Sequence, residues 1–309
     1  MNVDFVQLMD PKTLRIEKSE SYFEDDEWSL EPKINGRRMQ CLINQNCIEF
    51  AGRYARDARE NISDFSWKLS KIVSDLKNFD LPCGTLVDGE VHLPGQPVSL
   101  TLQILNSSVD DAITIQEQYG FLQYTIFDIM FLENKSLQDQ SLSFRRSKLK
   151  QLFKGLPLCN IELINWLITT VDKKKYWQKT LNSNNSEKGV VFKFIDSNYE
   201  SKRSQLWKKL KSFETYDAII MGFKLHNRNP DEFVASIRVG QYMSNRLIPV
   251  ANVCGLTKEQ AYEFRSRMKY YEGKVIQFKS EQKTKTSYKN PRFDMLRPDK
   301  KPQSCRWED

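Results

Sequence analysis

The segment "EPKINGRR" places Lys33 between the carboxylate of Glu31 and the guanidiniums of Arg37 and Arg38, with an Asn-Gly pair behind it. Read alone, it is a solvated lysine beside a tight turn, the usual fate of such a residue. Its other reading is chemical. An amine becomes a nucleophile only after losing its proton, and a free lysine pKa of ~10.4 makes that rare at neutral pH. Surrounding cations disfavour the ammonium form, so a lysine crowded by Arg38 and further lysines can attack phosphorus while the same cations neutralise the phosphate under attack.

Further groups suited to that chemistry recur downstream. "LVDGEV" supplies Glu90, "YTIFDI" Phe127 and Asp128, "EKGVVFK" Glu187 and Lys193, and "WKKLK" Lys209 and Lys211, while "NPRFDMLRPDK" brings Arg292, Arg297, Asp299 and Lys300 near the C-terminus. Each has a plain explanation by itself: a strand-end turn, a core phenylalanine, a wet lysine face, a charged tail. Their order carries more than any one of them.

These residues need a scaffold, and the sequence outlines one. "QCLINQNCIEFAGR" reads as two short strands joined by "NQN", and "GTLVDGEVHL" as a strand interrupted by Asp-Gly. "LQYTIFDIMFL" and "GVVFKF" are further strands. "DFSWKLSKIVSDLKNF" spaces Phe65, Leu69, Ile72, Val73 and Leu76 along one helical face, "SFRRSKLKQLF" is a basic amphipathic helix, and "ELINWLITTVDKKKYWQKTL" is a second helical region. From "YDAIIMGF" onward, short alternating strands surround the helix "TKEQAYEFRSRMKYY", the layout of a small β-barrel. The expected organisation is α+β, with a first domain over 1–212 and a barrel over 213–309.

At 309 residues the chain exceeds the usual ceiling for one core, and 39% hydrophobic with 12% aromatic residues suffices to fill two. Its charge of +7 is uneven: residues 213–309 hold 18 Lys and Arg against 12 Asp and Glu, as suits a part that grips a polyanion. Six cysteines without metal-ligand spacing fit a reducing compartment, and no stretch looks like a signal peptide or a membrane span. With only His92 and His226 present, catalysis must rest on Lys, Arg and carboxylates.

In this order the motifs resemble those of the covalent nucleotidyltransferase superfamily, and within it the ATP-dependent DNA ligases, over about Leu8 to Lys300. The minimal two-domain ligases of phages and large DNA viruses are the most similar group; RNA ligases and mRNA capping guanylyltransferases share several motifs and stay as alternatives, with an inactive nucleic-acid-binding protein as a remote one. The resemblance implies an adenylation domain of antiparallel sheets and helices followed by an OB-fold barrel, and a protein that is monomeric and cytoplasmic. It also implies ATP with Mg²⁺ or Mn²⁺, nicked duplex DNA as substrate, and Lys33 as the residue that becomes lysyl-AMP. Glu31 and Ile34 would read the adenine edge, Phe127 and Val191 would cover the two faces of the base, and Lys193, Lys209 and Lys211 would line the nucleotide site. Arg38 and Glu90 would hold the ribose, Arg38 and Arg53 the nick phosphate, Glu90 and Glu187 a metal, and Arg297, Asp299 and Lys300 the pyrophosphate. A hinge is expected near Ser212 to Thr215.

Two positions depart from the family pattern. Asn35 replaces the usual aspartate, a change that keeps turn chemistry and tolerance of left-handed backbone. Lys188 stands where a glutamate usually precedes the fourth motif's glycine, with Glu187 one residue earlier; on a strand that shift turns a side chain to the other face.

Overall fold

The computed structural model describes residues 3–45, 47–52, 62–157, 159–182 and 189–307. The chain forms two compact units, Met1–Lys211 and Ser212–Asp309.

In chain order the strands of the first unit are β1 (Asp10–Thr13), β2 (Trp28–Pro32), β3 (Arg37–Ile43), β4 (Ile48–Gly52), β5 (Thr85–His92), β6 (Gln123–Leu132), β7 (Lys135–Ser136), β8 (Ile161–Leu163), β9 (Gly189–Phe194) and β10 (Arg203–Lys211). They build a four-stranded sheet in the order β1-β10-β9-β2 and a larger sheet β4-β3-β5-β6-β7, with β8 alongside β6. The helices are α1 (Glu20–Glu24), α2 (Ile62–Lys68), α3 (Ser70–Asn78), α4 (Val98–Asn106), α5 (Val109–Tyr119), α6 (Leu142–Leu152) and α7 (Thr170–Asn182).

Strand alternation decides which side chains pack and which are presented. On β9, Val190 and Phe192 join Phe23, Leu30, Trp177 and Leu210 in one core, so Gly189, Val191 and Lys193 face the other way. On the larger sheet, Cys41, Phe50, Val87, Val91 and Ile126 pack in a core shared with Ile72, Ile104 and Ala112 of the helices. A third cluster, including Met9, Leu42, Leu86, Met130, Tyr199 and Trp207, joins elements of both sheets.

Several sequence expectations change here. β5 runs unbroken through Asp88-Gly89, because an ion pair satisfies the buried Asp88 within the strand. The single helix expected around residues 64–79 is two, broken at Leu69 (φ −102°, ψ 28°). The region "ELINWLITTVD" begins as strand β8, with helix only from Thr170. The basic amphipathic helix α6 forms as expected, with Arg145 and Arg146 turned inward at 0% and 1% exposed. Arg145 is bidentate on Asp128 (2.8 and 2.9 Å) and Arg146 bonds the carbonyls of Phe127 and Ile164, fixing β6 from behind.

The second unit contains β11 (Glu214–Leu225), β12 (Val234–Met243), β13 (Arg246–Val253), α8 (Lys258–Ser266), α9 (Met268–Tyr271), β14 (Val275–Ser280), β15 (Gln282–Lys283), β16 (Tyr288–Lys289) and β17 (Arg292–Leu296). Five of these strands pair in the order β13-β12-β11-β14-β17. The sheet then closes on itself, since Cys254, just past β13, donates to Pro291 O (3.0 Å) and accepts from Phe293 N–H (2.8 Å). Ile237, Val239, Phe264, Ile276 and Phe278 fill the resulting five-stranded barrel.

Candidate active site

Register across the four-stranded sheet assembles a wall of functional side chains. Glu31 pairs with Val191 and Val191 with Lys209; Ser29 pairs with Lys193 and Lys193 with Trp207. Directly paired residues project to the same face, so Glu31, Val191, Lys193, Trp207 and Lys209 stand together, with Lys211 next along β10 opposite Gly189. Lys33 follows Glu31 by two positions, and its N–H bonds Gly189 O (3.1 Å).

Glu31, Lys33, Val191, Lys193, Trp207 and Lys209 line a cavity of about 720 Å³ within the first unit, together with Ile34, Arg37, Arg38, Glu90 and Phe127, whereas Lys211 stands outside its lining. Its deep end holds a buried ion pair: Lys193 Nζ lies 2.6 Å from Glu31 Oε2, and each side chain is 2% exposed. Burial pushes the Lys193 ammonium down, with Glu31 and Asp128 opposing. Lys193 also sits over the Phe127 and Trp207 rings, at 4.4 and 4.1 Å. The second oxygen of Glu31, Oε1, is buried without a hydrogen bond, and such an oxygen carries a desolvation cost that a donor would remove.

The larger sheet supplies the opposite chemistry. Arg38 pairs with Glu90 across β3 and β5. Its guanidinium is bidentate on the fully buried Asp88 (3.0 and 2.6 Å) and donates to Met9 O (2.8 Å), with Asp10 at 3.6 Å. Burial alone would depress Arg38, but Asp88, Tyr199 and Asp10 outweigh it and keep the guanidinium charged. Tyr199 Oη donates to Asp88 (3.1 Å) and accepts from Met9 N–H (3.1 Å). Glu90 Oε1 accepts from Gly36 N–H (3.0 Å); its pKa is raised to about 7, chiefly by burial, with Lys33 and Arg38 pulling it back.

The Asn-Gly pair does not work through left-handed backbone, because neither residue has positive φ. Gly36 is required by close approach: a Cβ there would strike the Val91 carbonyl. Asn35 contributes its side chain, accepting a 2.8 Å bond from Lys33 Nζ.

Lys33, Glu31, Ile34, Arg38, Glu90, Phe127, Val191, Lys193 and Lys209 thus share one cavity. Arg53, Glu187 and Lys188 lie outside the described residues. Arg297, Asp299 and Lys300 belong to the second unit, where Arg297 bridges Asp299 (2.9 and 2.7 Å) and Asp217 (3.1 Å), and Lys300 reaches Asp217 at 3.4 Å. Among the described residues, no three His, Cys, Asp or Glu side chains group as a metal site. Sequence reasoning gave no site role to Asp88, Tyr199 or Trp207, although Tyr199 and Trp207 stand in the phrase "SNYESKRSQLWKKLK" that is close to the family pattern. Strand alternation with Glu90 could have found Asp88.

Comparison with known proteins gives the family and the fold. The family model for the ATP dependent DNA ligase domain matches residues 7–211. A DNA ligase of Thermococcus fumicolans is 25% identical over 310 residues, covering 90% of this chain and 53% of that protein. The chain therefore spans about half the length of that relative. Among solved structures, Pmar-Lig_PreS3 superposes with a TM-score of 0.71 at 21% identity, over 94% of this chain and 68% of that one. A structure from work on Lig E DNA ligases gives 0.66 at 17% identity, over 96% of this chain and all of that one. The fold is the ligase combination of a nucleotidyltransferase unit with an OB-type barrel.

Proposed function

Because the chain belongs to the ATP-dependent DNA ligase domain family, we propose that it seals nicks in duplex DNA through a covalent lysyl-AMP. The observation that carries this reading is Lys33 on the wall of a cavity whose deep end holds an unsatisfied acceptor, Glu31 Oε1, suited to an amino-purine.

Lys33 Nζ attacks the α-phosphate of ATP, forming a P–N bond as pyrophosphate leaves. Lys209 and Lys211 neutralise the phosphate during attack, while Phe127 and Val191 sandwich the base and Glu31 accepts from its exocyclic amine. The AMP next passes to the 5′-phosphate of a nick, breaking the P–N bond and regenerating the lysine. The adjacent 3′-hydroxyl then attacks that phosphate and AMP departs. Splitting one difficult displacement into these steps is the benefit of the covalent intermediate. Arg38, fixed in direction by Asp88, is placed to hold ribose and then the 5′-phosphate.

The residues fit a magnesium ion that keeps most of its water and phosphate ligands, with Glu90 as the carboxylate on the cavity wall. When bound, such an ion supplies charge neutralisation at the transferring phosphate. Arg297, Asp299 and Lys300 are proposed to meet the pyrophosphate, and Arg53 and Glu187 keep the roles the family resemblance gives them. We propose, from the family resemblance, that the protein acts inside the cell as a monomer; its free cysteines suit a reducing compartment.

The test is incubation with α-labelled ATP or GTP, followed by a nicked duplex. The wild type should take label from ATP and seal the nick, and Lys33→Ala should do neither. Labelling by GTP alone would point to capping chemistry, and sealing confined to RNA strands to an RNA ligase.

A further inference from the structure

Arg37 has no part in the chemistry above, yet it lines the same cavity. It lies next to Arg38 on β3 and therefore points to the opposite face of the sheet. There its guanidinium stacks 4.7 Å from the Phe65 ring and donates from Nη1 to Asn106 Oδ1 (3.1 Å). It also passes over Gly52 at the end of β4, where a Cβ would lie 3.6 Å from its Nε. β4 is the outer strand of the sheet.

Two features of this placement call for an anion. A guanidinium has five N–H donors, and among the described residues one of them is used here. No carboxylate among the described residues pairs with it, and partial burial already works against its charge. By contrast, Arg38 next door has Asp88 and Asp10. An oriented cation that has no counter-ion among the described residues on a cavity wall is a site for a phosphate oxygen.

The location says which phosphate. The lysines proposed for the nucleotide phosphates come from the four-stranded sheet, whereas Arg37 comes from β3 of the other and reaches over its edge strand β4. Its partner Asn106 is exposed, as is Leu102 one turn earlier on α4, so this end of the cavity opens to the surface while the Glu31 end is sealed. A substrate phosphate arriving from outside meets Arg37; one that enters with the base passes to the lysines.

We propose that Arg37, braced by Phe65 and Asn106, binds a backbone phosphate of the nicked DNA. The inference rests on the ligase reading and assigns to that reaction a DNA contact additional to Arg38. The contact would serve docking of DNA and take no part in the attack on ATP.

The experiment measures binding of a nicked duplex ending in a 3′-dideoxy nucleotide, across a series of salt concentrations, for wild type, Arg37→Ala and Arg37→Lys. Rates of labelling by α-labelled ATP are read in parallel, with thermal melting to check folding. Arg37→Ala should bind the duplex roughly tenfold more weakly, the scale of one charged hydrogen bond. Its dependence of log affinity on log salt should be shallower by about 1. Arg37→Lys should restore the slope and part of the affinity, and labelling should match wild type. Unchanged DNA affinity and slope in a folded Arg37→Ala would overturn the proposal. So would a raised KM for ATP with DNA binding intact, which would assign Arg37 to the nucleotide. A wild type that takes no label but loses DNA affinity on Arg37→Ala would sink the ligase reading while leaving this contact standing.

Discussion

Lys33 Nζ donates a 2.8 Å hydrogen bond to Asn35 Oδ1, so the proposed nucleophile is oriented by a neutral acceptor two residues along its own chain. An amide carbonyl adds no charge at that point, whereas a carboxylate in the same place would add to the stabilisation that Glu90 already gives the ammonium. An opposite charge at this distance raises a lysine pKa by roughly one to three units. Asn35→Asp should therefore move the rising limb of the pH–rate profile for lysyl-AMP formation to higher pH by about one unit. Superimposable profiles over pH 6 to 10 would show that the Asn35 side chain does not govern protonation of Lys33.

Asp88 is the counterweight to Arg38. With Asp88 fully buried and the Arg38 side chain 12% exposed, solvent screens the pair little. Removing one partner of such a pair leaves the other charge stranded, at a cost of about 3–5 kcal/mol. Asp88→Ala should lose that much stability in urea unfolding, a large share of the 5–15 kcal/mol typical of a domain. Asp88→Asn should lose less, since its amide oxygen can still accept from Arg38. A loss below about 1 kcal/mol for Asp88→Ala would place the pair with surface ion pairs.

How far the site was legible in the sequence follows from these same residues. Lys33, Glu31, Phe127, Val191 and Lys209 sit on short, ordered motifs; strand alternation carries Glu31, Val191 and Lys209 directly into a shared face, and Lys33 and the β6 residue Phe127 line the same cavity. Asp88 was hidden because Asp-Gly reads as a turn when local propensity is the guide; tertiary pairing with Arg38 overrides that propensity and keeps β5 continuous. The burial of Arg145 and Arg146 was illegible for the same reason. Basic residues on a helix read as solvated until a buried carboxylate and two carbonyls on β6 are seen to receive them. In the barrel, "RLIPVANV" and "RFDML" were missed as strands. The first contains Pro249, and the second alternates charged with apolar residues as an exposed strand does.

Glu90 gives the metal-free protein a pH dependence. Its pKa is raised to about 7 in the folded chain, above the ordinary glutamate value of about 4.3 in the unfolded one. Between those values the folded state holds the proton more tightly, so stability falls as pH rises from about 4.5 to 7 and levels off above. The loss from this one group is on the order of 3 kcal/mol. In EDTA, Glu90→Gln should remove that part of the slope, with the gap between variant and wild type changing across pH 4.5 to 7.5. Parallel stability curves would mean that Glu90 is solvated enough to ionise normally.

Gly189 links the covalent step to the shape of the sheet. A Cβ at this position would lie 3.0 Å from Leu210 O and 3.2 Å from Lys33 Cδ, tighter than ordinary contact on both sides. The backbone oxygen is held in the β9–β10 ladder, so the lysine side chain is the part able to yield. Gly189→Ala should therefore cost about 1 kcal/mol or less in unfolding, as a mild overpacking, because Lys33 can swing aside. Lysyl-AMP formation should suffer more, by about tenfold or beyond, since displacement of a nucleophile by a fraction of an ångström is felt directly in the rate. ATP affinity, measured by equilibrium binding to Gly189→Ala and wild type, should change little. A variant that labels at the wild-type rate would mean that Lys33 reaches phosphorus from a rotamer that does not rest on Gly189.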